Sequence, residues 1–255
     1  MIIGGLVSIT FRQLTVDAII KLVQVAGLDA IEWGGDDHVP HGDLVCARET
    51  KRKMLDSGLT TASYGSYYRV GHHEPVPFVD VLASATALGA PLIRVWAGKR
   101  NSEEADDAYW QQVVDDAITI ANLSAEAGKE IAFEYHGNTL TNTLSSTVRL
   151  LQDINHPAVK TYWQKPNQSS LEENVVAINQ LLPWLSHLHL NSGPNASLRN
   201  SQPTSDNTEW LKYFDIVSQT NKDHCALIEF VQDNAPESFL RDARVLKAWL
   251  EQANS

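Results

Sequence analysis

Glutamates and histidines stand at the ends of short apolar runs throughout this chain. Glu32 sits between Ala-Ile and Trp33, Glu134 follows Ile-Ala-Phe, and Gln164 follows Thr-Tyr-Trp. His187 and His189 alternate with leucines, and Glu229 follows Ala-Leu-Ile. Side chains two apart on a strand face the same side, which pairs His187 with His189 and Glu134 with His136. A carboxylate at the buried end of a strand is costly unless it is paired, protonated or bound to a cation. Several such ends converging on one point would form an oxygen and nitrogen donor set for a divalent metal. Each residue also has a plainer reading. A lone glutamate at a strand end can be a solvated loop residue, Glu32 can pair with a neighbouring Arg or Lys, and His187, deeper in its strand, reads as hydrogen-bonded support. Trp33, Trp96 and Trp163 lie near strand ends too, either as packing or as an apolar wall for a carbohydrate ring. Arg94, inside a strand, needs a carboxylate partner or an anionic substrate. His72 and His73 fall in a strand-to-helix loop, either reaching the site or on the surface, and His38 and His41 read as loop residues.

The elements that would position these groups alternate strictly. Strands are expected over 6–9, 29–33, 60–64, 91–96, 130–134, 159–164, 186–190 and 226–230. Helices are expected over 15–26, about 43–57, 75–88, 103–127, 144–153, 171–182, 207–219 and 236–252. Eight strand–helix units of similar length predict an α/β fold with a parallel sheet, closed as a (β/α)₈ barrel. The helix-to-strand connections are short and carry Gly27, Gly58, Gly89 and Gly128, which read as helix stops. The strand-to-helix connections are longer and rich in Gly, His, Asn and aromatics, as a barrel with its function on one face requires. A doubly wound open sheet is the competing architecture, but no Gly-rich phosphate fingerprint follows the first strand. The polar stretch 191–207 reads as a mobile loop after the seventh strand.

Composition bounds the functions. The chain has 255 residues, 43% of them hydrophobic, and a formal net charge of −11. That length suits one barrel domain over 1–255. The acidic balance argues against broad nucleic-acid or anionic-membrane binding. The two cysteines, Cys46 and Cys225, are far apart and give no disulfide framework, which with the absence of a signal segment or a membrane-length apolar run predicts a cytoplasmic protein.

The runs Phe-Glu-Tyr-His-Gly-Asn-Thr-Leu-Thr-Asn-Thr (133–143), Tyr-Trp-Gln (162–164), His-Leu-His-Leu (187–190) and Ile-Glu-Phe-Val (228–231) occur in that order. Together they resemble the xylose-isomerase-like TIM barrel superfamily of sugar and sugar-phosphate isomerases and epimerases, over nearly the whole chain. The ketose 3-epimerases of that family hold one divalent cation with Glu, Asp, His and Glu. The resemblance carries these roles to Glu134, Gln164, His189 and Glu229. Gln164 departs from the family aspartate: it would bind through a neutral amide oxygen, leaving two anionic ligands where the family has three. The family's substrate histidine falls on Asn167, and the nearest arginine in the seventh loop is Arg199.

The resemblance implies a divalent ion (Mn²⁺, Mg²⁺, Co²⁺ or Zn²⁺) bridging a carbonyl and an adjacent hydroxyl, which acidifies the neighbouring C–H. Glu134 and Glu229 would then transfer protons to and from an enediolate. Candidate substrate contacts are Glu32, Trp96, His136, His187 and Arg199. The expected function is a metal-assisted isomerase or epimerase of a small sugar or sugar derivative. The alternatives are a lyase (dehydratase or decarboxylase) on a keto-sugar or keto-acid, and a sugar-binding or partner subunit with a decayed metal site. The expected partner is a small carbohydrate, with neither nucleic acid nor membrane, in a chain that resembles homo-oligomeric barrels.

Overall fold

A computed structural model describes residues 1–166, 169–191, 208–220 and 222–254. Its strands are β1 (Ile2–Val7), β2 (Ala30–Gly34), β3 (Thr60–Arg69), β4 (Leu92–Trp96), β5 (Glu130–Phe133), β6 (Val159–Gln164), β7 (Leu185–Asn191) and β8 (His224–Glu229). They follow one another in sequence order around a closed barrel. Between and after them run α1 (Val16–Ala26), α2 (Leu44–Ser57), α3 (Phe78–Leu88), α4 (Asp107–Glu126), α5 (Leu144–Ile154), α6 (Leu171–Leu181), α7 (Thr208–Ser218) and α8 (Pro236–Ala253). The expected (β/α)₈ architecture is therefore the observed one. No helix among the described residues is long and apolar enough to cross a membrane.

Internal contacts group the chain into two compact units. The first comprises 1–33, 52–60 and 163–255. In it β7 pairs with β8 (Leu188 beside Ala226, Asn191 beside Glu229), β8 with β1 (Ile2 beside His224) and β1 with β2 (Val7 beside Glu32), all parallel. β8 is buried along its whole length, as expected of a strand covered on both faces. Trp163, Trp210, Tyr213 and Trp249 form an aromatic cluster, with Trp163 5.3 Å from Tyr213 and Trp210 stacked on Trp249 at 6.4 Å. Trp33 and Trp163 are fully buried, so both pack rather than line a mouth.

The second unit comprises 34–51 and 61–162. Here β3, β4, β5 and β6 pair in parallel, with Gly65 beside Arg94, Arg94 beside Ala132, and Phe133 beside Thr161. The β3–β4 register shifts between Gly65 and Arg69, so that Arg69 comes to lie beside Trp96. Within this bulge Tyr67 takes a left-handed φ of 57°, which is uncommon for a bulky residue.

Local signals account for the boundaries. Thr15 caps α1 by accepting from Ala18 N, and Gly27 ends it at φ 65°. Gly58, Gly89 and Gly128 also take positive φ after their helices. Several expected ends move. β1 starts at Ile2, four residues before the expected Leu6, because Gly4 and Gly5 hide an otherwise apolar strand. β3 runs to Arg69 instead of ending at Tyr64. α3 starts at Phe78, because Pro77 is held extended as its cap. The long helical stretch 103–127 divides at Asp106, whose side chain accepts from Tyr109 N and starts α4 after a short 3₁₀ turn. The stretch 192–207, read as a loop, lies outside the described residues, as do Arg199 and Asn167.

Candidate metal and proton-transfer site

Glu134 comes one residue after β5 and is buried. Its backbone still follows the sheet, with Glu134 N donating to Val95 O. Two donors converge on one carboxylate oxygen. Arg94 forms a buried ion pair with Glu134 Oε2, and Trp96 Nε1 donates to the same oxygen at 2.5 Å. Charge-assisted bonds of this kind are among the stronger ones, and two of them fix the carboxylate plane. Thr141 adds support by donating to Glu134 O at 2.5 Å. The partner that Arg94 required is thus a carboxylate of the neighbouring strand.

Trp96 holds more than this bond. The His136 ring stacks on it at 4.9 Å with an interplanar angle of 18°, and Tyr67 meets it edge-on at 5.7 Å. The Arg69 guanidinium lies 4.0 Å over the same indole. Of the three tryptophans near strand ends, Trp96 is the one in the candidate site. His136 Nδ1 approaches Gly137 O at 2.6 Å. A carbonyl can only accept, so Nδ1 carries a proton, and in the neutral form of the ring Nε2 is the nitrogen left to accept one.

On β7 and β8 the second group assembles. His189 is fully buried, with Nε2 3.4 Å from Glu32 Oε2 and Nδ1 3.8 Å from Glu229 Oε2. Glu32 is also fully buried, so its place is behind the histidine rather than in the open. A carboxylate on one imidazole nitrogen fixes the ring and leaves the other nitrogen for a cation. Glu134 in the second unit and His189 and Glu229 in the first are all buried, and each can offer one ligand atom to a cation. Two carboxylates and one imidazole suit a divalent cation of the Mn²⁺, Co²⁺ or Zn²⁺ type. Gln164 is the last residue of β6 and half-buried.

His187, two residues earlier on β7, lies elsewhere. Its Nδ1 is 2.8 Å from Ser186 O and 3.2 Å from Cys225 N, near the start of β8. His224 approaches the same carbonyl through Nδ1 at 2.6 Å. Burial pushes the Cys225 thiol up to about 12, with the Glu32 and Asp223 charges adding to the effect, so this sulfur stays protonated. His72 is bound to Tyr109 Oη at 2.9 Å. His41 is tied to Ser66 O at 2.9 Å and to Tyr64 Oη at 2.8 Å, and desolvation lowers its pKa against the pull of the Ser66 bond.

Arg69, Tyr67 and Phe230 escaped the sequence reading. Tyr67 and Phe230 both take left-handed φ, at 57° and 52°. Phe230 directly follows Glu229, and its exposure of 39% is unusual for a phenylalanine. The Phe230 within Ile-Glu-Phe-Val was visible as a motif residue, but nothing in its type announces the backbone turn that exposes it.

A model of the family described as xylose isomerase-like TIM barrel matches residues 20–249. A 3-dehydroshikimate dehydratase of Bacillus anthracis is 27% identical over 175 residues, which span 60% of this chain and 61% of that relative's length. Among solved structures, a probable 3-DHS dehydratase of Bacillus anthracis involved in petrobactin synthesis superposes with a TM-score of 0.77 at 23% identity. That superposition covers 97% of this chain and 99% of the other. An L-ribulose 3-epimerase superposes with a TM-score of 0.71 at 16% identity, covering 100% and 96%. At such identities these structures speak for the fold alone. The family match spans nearly the whole chain, and the chain belongs to the xylose isomerase-like TIM barrel family.

Proposed function

We propose that the chain is a metal-assisted lyase that removes water from a small cyclic keto acid of the 3-dehydroshikimate class. The observation that carries this reading is the 27% identity over 175 residues with a protein named 3-dehydroshikimate dehydratase. The donor set supports it. Glu134, His189 and Glu229 would hold the cation, with the Gln164 amide oxygen as a fourth donor. Bound there, a divalent cation would supply a Lewis acid for the substrate ketone.

The remaining work falls to side chains. Arg94 and Trp96 hold Glu134 in one orientation, and Glu32 does the same for His189. His136, with its proton on Nδ1, presents Nε2 as the base for the C–H next to the ketone. That C–H bond breaks, a C=C bond forms, and the hydroxyl on the next carbon leaves. The imidazolium returns the proton to the departing oxygen, so water is released and no net proton is consumed. Enolisation of the remaining ketone then makes the ring aromatic, giving 3,4-dihydroxybenzoate. On this reading proton abstraction passes from Glu134 to His136, because Glu134 is occupied by Arg94 and Trp96.

A second reading, ketose epimerisation, would use Glu134 and Glu229, both buried, as the two carboxylates that remove and return the proton. One experiment separates them. The Mn²⁺-loaded protein is incubated with 3-dehydroshikimate and, in parallel, with ribulose and fructose, and the products are resolved by chromatography. The lyase reading expects 3,4-dihydroxybenzoate, lost in His136→Asn while Mn²⁺ binding persists. Epimerised ketose with no aromatic product would overturn it.

A further inference from the structure

Arg69 stands apart from Arg94. Arg94 is spent on Glu134, whereas Arg69 forms no ion pair with the described residues. Among the described residues its guanidinium makes one hydrogen bond, from Nη1 to Gly98 O at 3.1 Å, and lies 4.0 Å over Trp96. The nearby Glu74 carboxylate is itself paired, to Lys99 Nζ at 2.9 Å. Arg69 is half-buried, and a guanidinium drawn partly out of water without a carboxylate is costly unless a ligand completes it.

The backbone is bent to bring this residue into place. The register shift between Gly65 and Arg69, with Tyr67 at φ 57°, sets Arg69 beside Trp96 at the end of its strand. Bulges of this kind re-aim side chains beside active sites. Lying 4.0 Å over the indole, the guanidinium keeps four N–H bonds for a planar acceptor, and that fork matches a carboxylate. The surroundings favour an anion as well. Around His72 the charges of Lys99, Arg69 and Arg100 outnumber that of Glu74, in a chain whose net charge is −11.

We infer that Arg69 is the anion anchor of the site, taking the carboxylate of the substrate while Trp96 fixes the plane of its guanidinium. This inference rests on the keto-acid reading above, and its test uses ligands that cannot react. Benzoate and its neutral counterpart benzamide are titrated calorimetrically into the protein, with and without Mn²⁺, at low and high salt. The native protein should prefer benzoate by about tenfold or more at low salt, equivalent to ~1.4 kcal/mol. Arg69→Gln should abolish that preference, with Mn²⁺ affinity unchanged, and Arg69→Lys should retain part of it. A preference that survives in Arg69→Gln, or is missing from the native protein, overturns the inference. Melting curves show whether each variant is folded, and Arg69→Lys keeps the test open if Arg69→Gln is not. A protein that prefers benzoate through Arg69 yet leaves 3-dehydroshikimate untouched would refute the dehydratase reading and keep the anchor.

Discussion

At Glu134 the chain commits an arginine and a tryptophan to a single carboxylate oxygen. The presence of Glu134, His189 and Glu229 at strand ends was legible from apolar runs that stop at an ionisable residue. Their partners were not, because Arg94 lies 40 residues from Glu134 and Glu32 lies 157 from His189. Trp96 shows the same limit: its type suggested either packing or a wall for a sugar ring, and gave no sign that its Nε1–H is directed at Glu134. Trp96→Phe keeps an aromatic ring and removes that donor. A hydrogen bond to a charged group contributes about 1.5–3 kcal/mol, so kcat should fall roughly 10- to 100-fold with KM changed less. Measured on whichever substrate the protein turns over, an unchanged kcat would remove the positioning role of Trp96.

Among the elements, helix ends were easier to read than strand ends. A glycine after an amphipathic stretch has one cheap use, the left-handed stop, and Gly27, Gly58, Gly89 and Gly128 all serve it. β3 was cut short in the reading because Gly-Ser-Tyr-Tyr-Arg lacks clean alternation, and the bulge that explains it depends on a tyrosine at positive φ. β1 was read too late for the opposite reason, since Gly5 looks like a weak strand residue yet is required there. A methyl group on Gly5 would run into the Ala30 carbonyl oxygen and the Leu227 side chain. The carbonyl belongs to paired backbone and cannot rotate away, so Gly5→Ala should lower stability by about 1–3 kcal/mol. Denaturant unfolding measures this, and a loss below ~0.5 kcal/mol would mean that β1 and β2 can part locally without cost.

Over the whole molecule, eight alternating units were enough to specify a parallel barrel, because each helix must return the chain to the same edge of the next strand. Barrel topology also explains why the residues of chemical interest sit where strands end, since that face is built from the variable strand-to-helix segments. The identity of the reaction was less legible. Epimerisation and dehydration can both draw on carboxylate and imidazole groups, and what separates them is the fate of the deprotonated substrate. On the proposed reading that fate depends on His136, which the strand alternation did bring forward, and on Arg69, whose placement follows from a backbone bulge without a sequence signature. Both readings require the cation, so cation binding is the claim everything else depends on. Equilibrium titration with Co²⁺, followed by its visible absorption, should show about one ion bound per chain and none in His189→Ala, because removing the imidazole leaves only carboxylate and amide donors. No binding by the native chain, or equal binding by His189→Ala, would contradict the account.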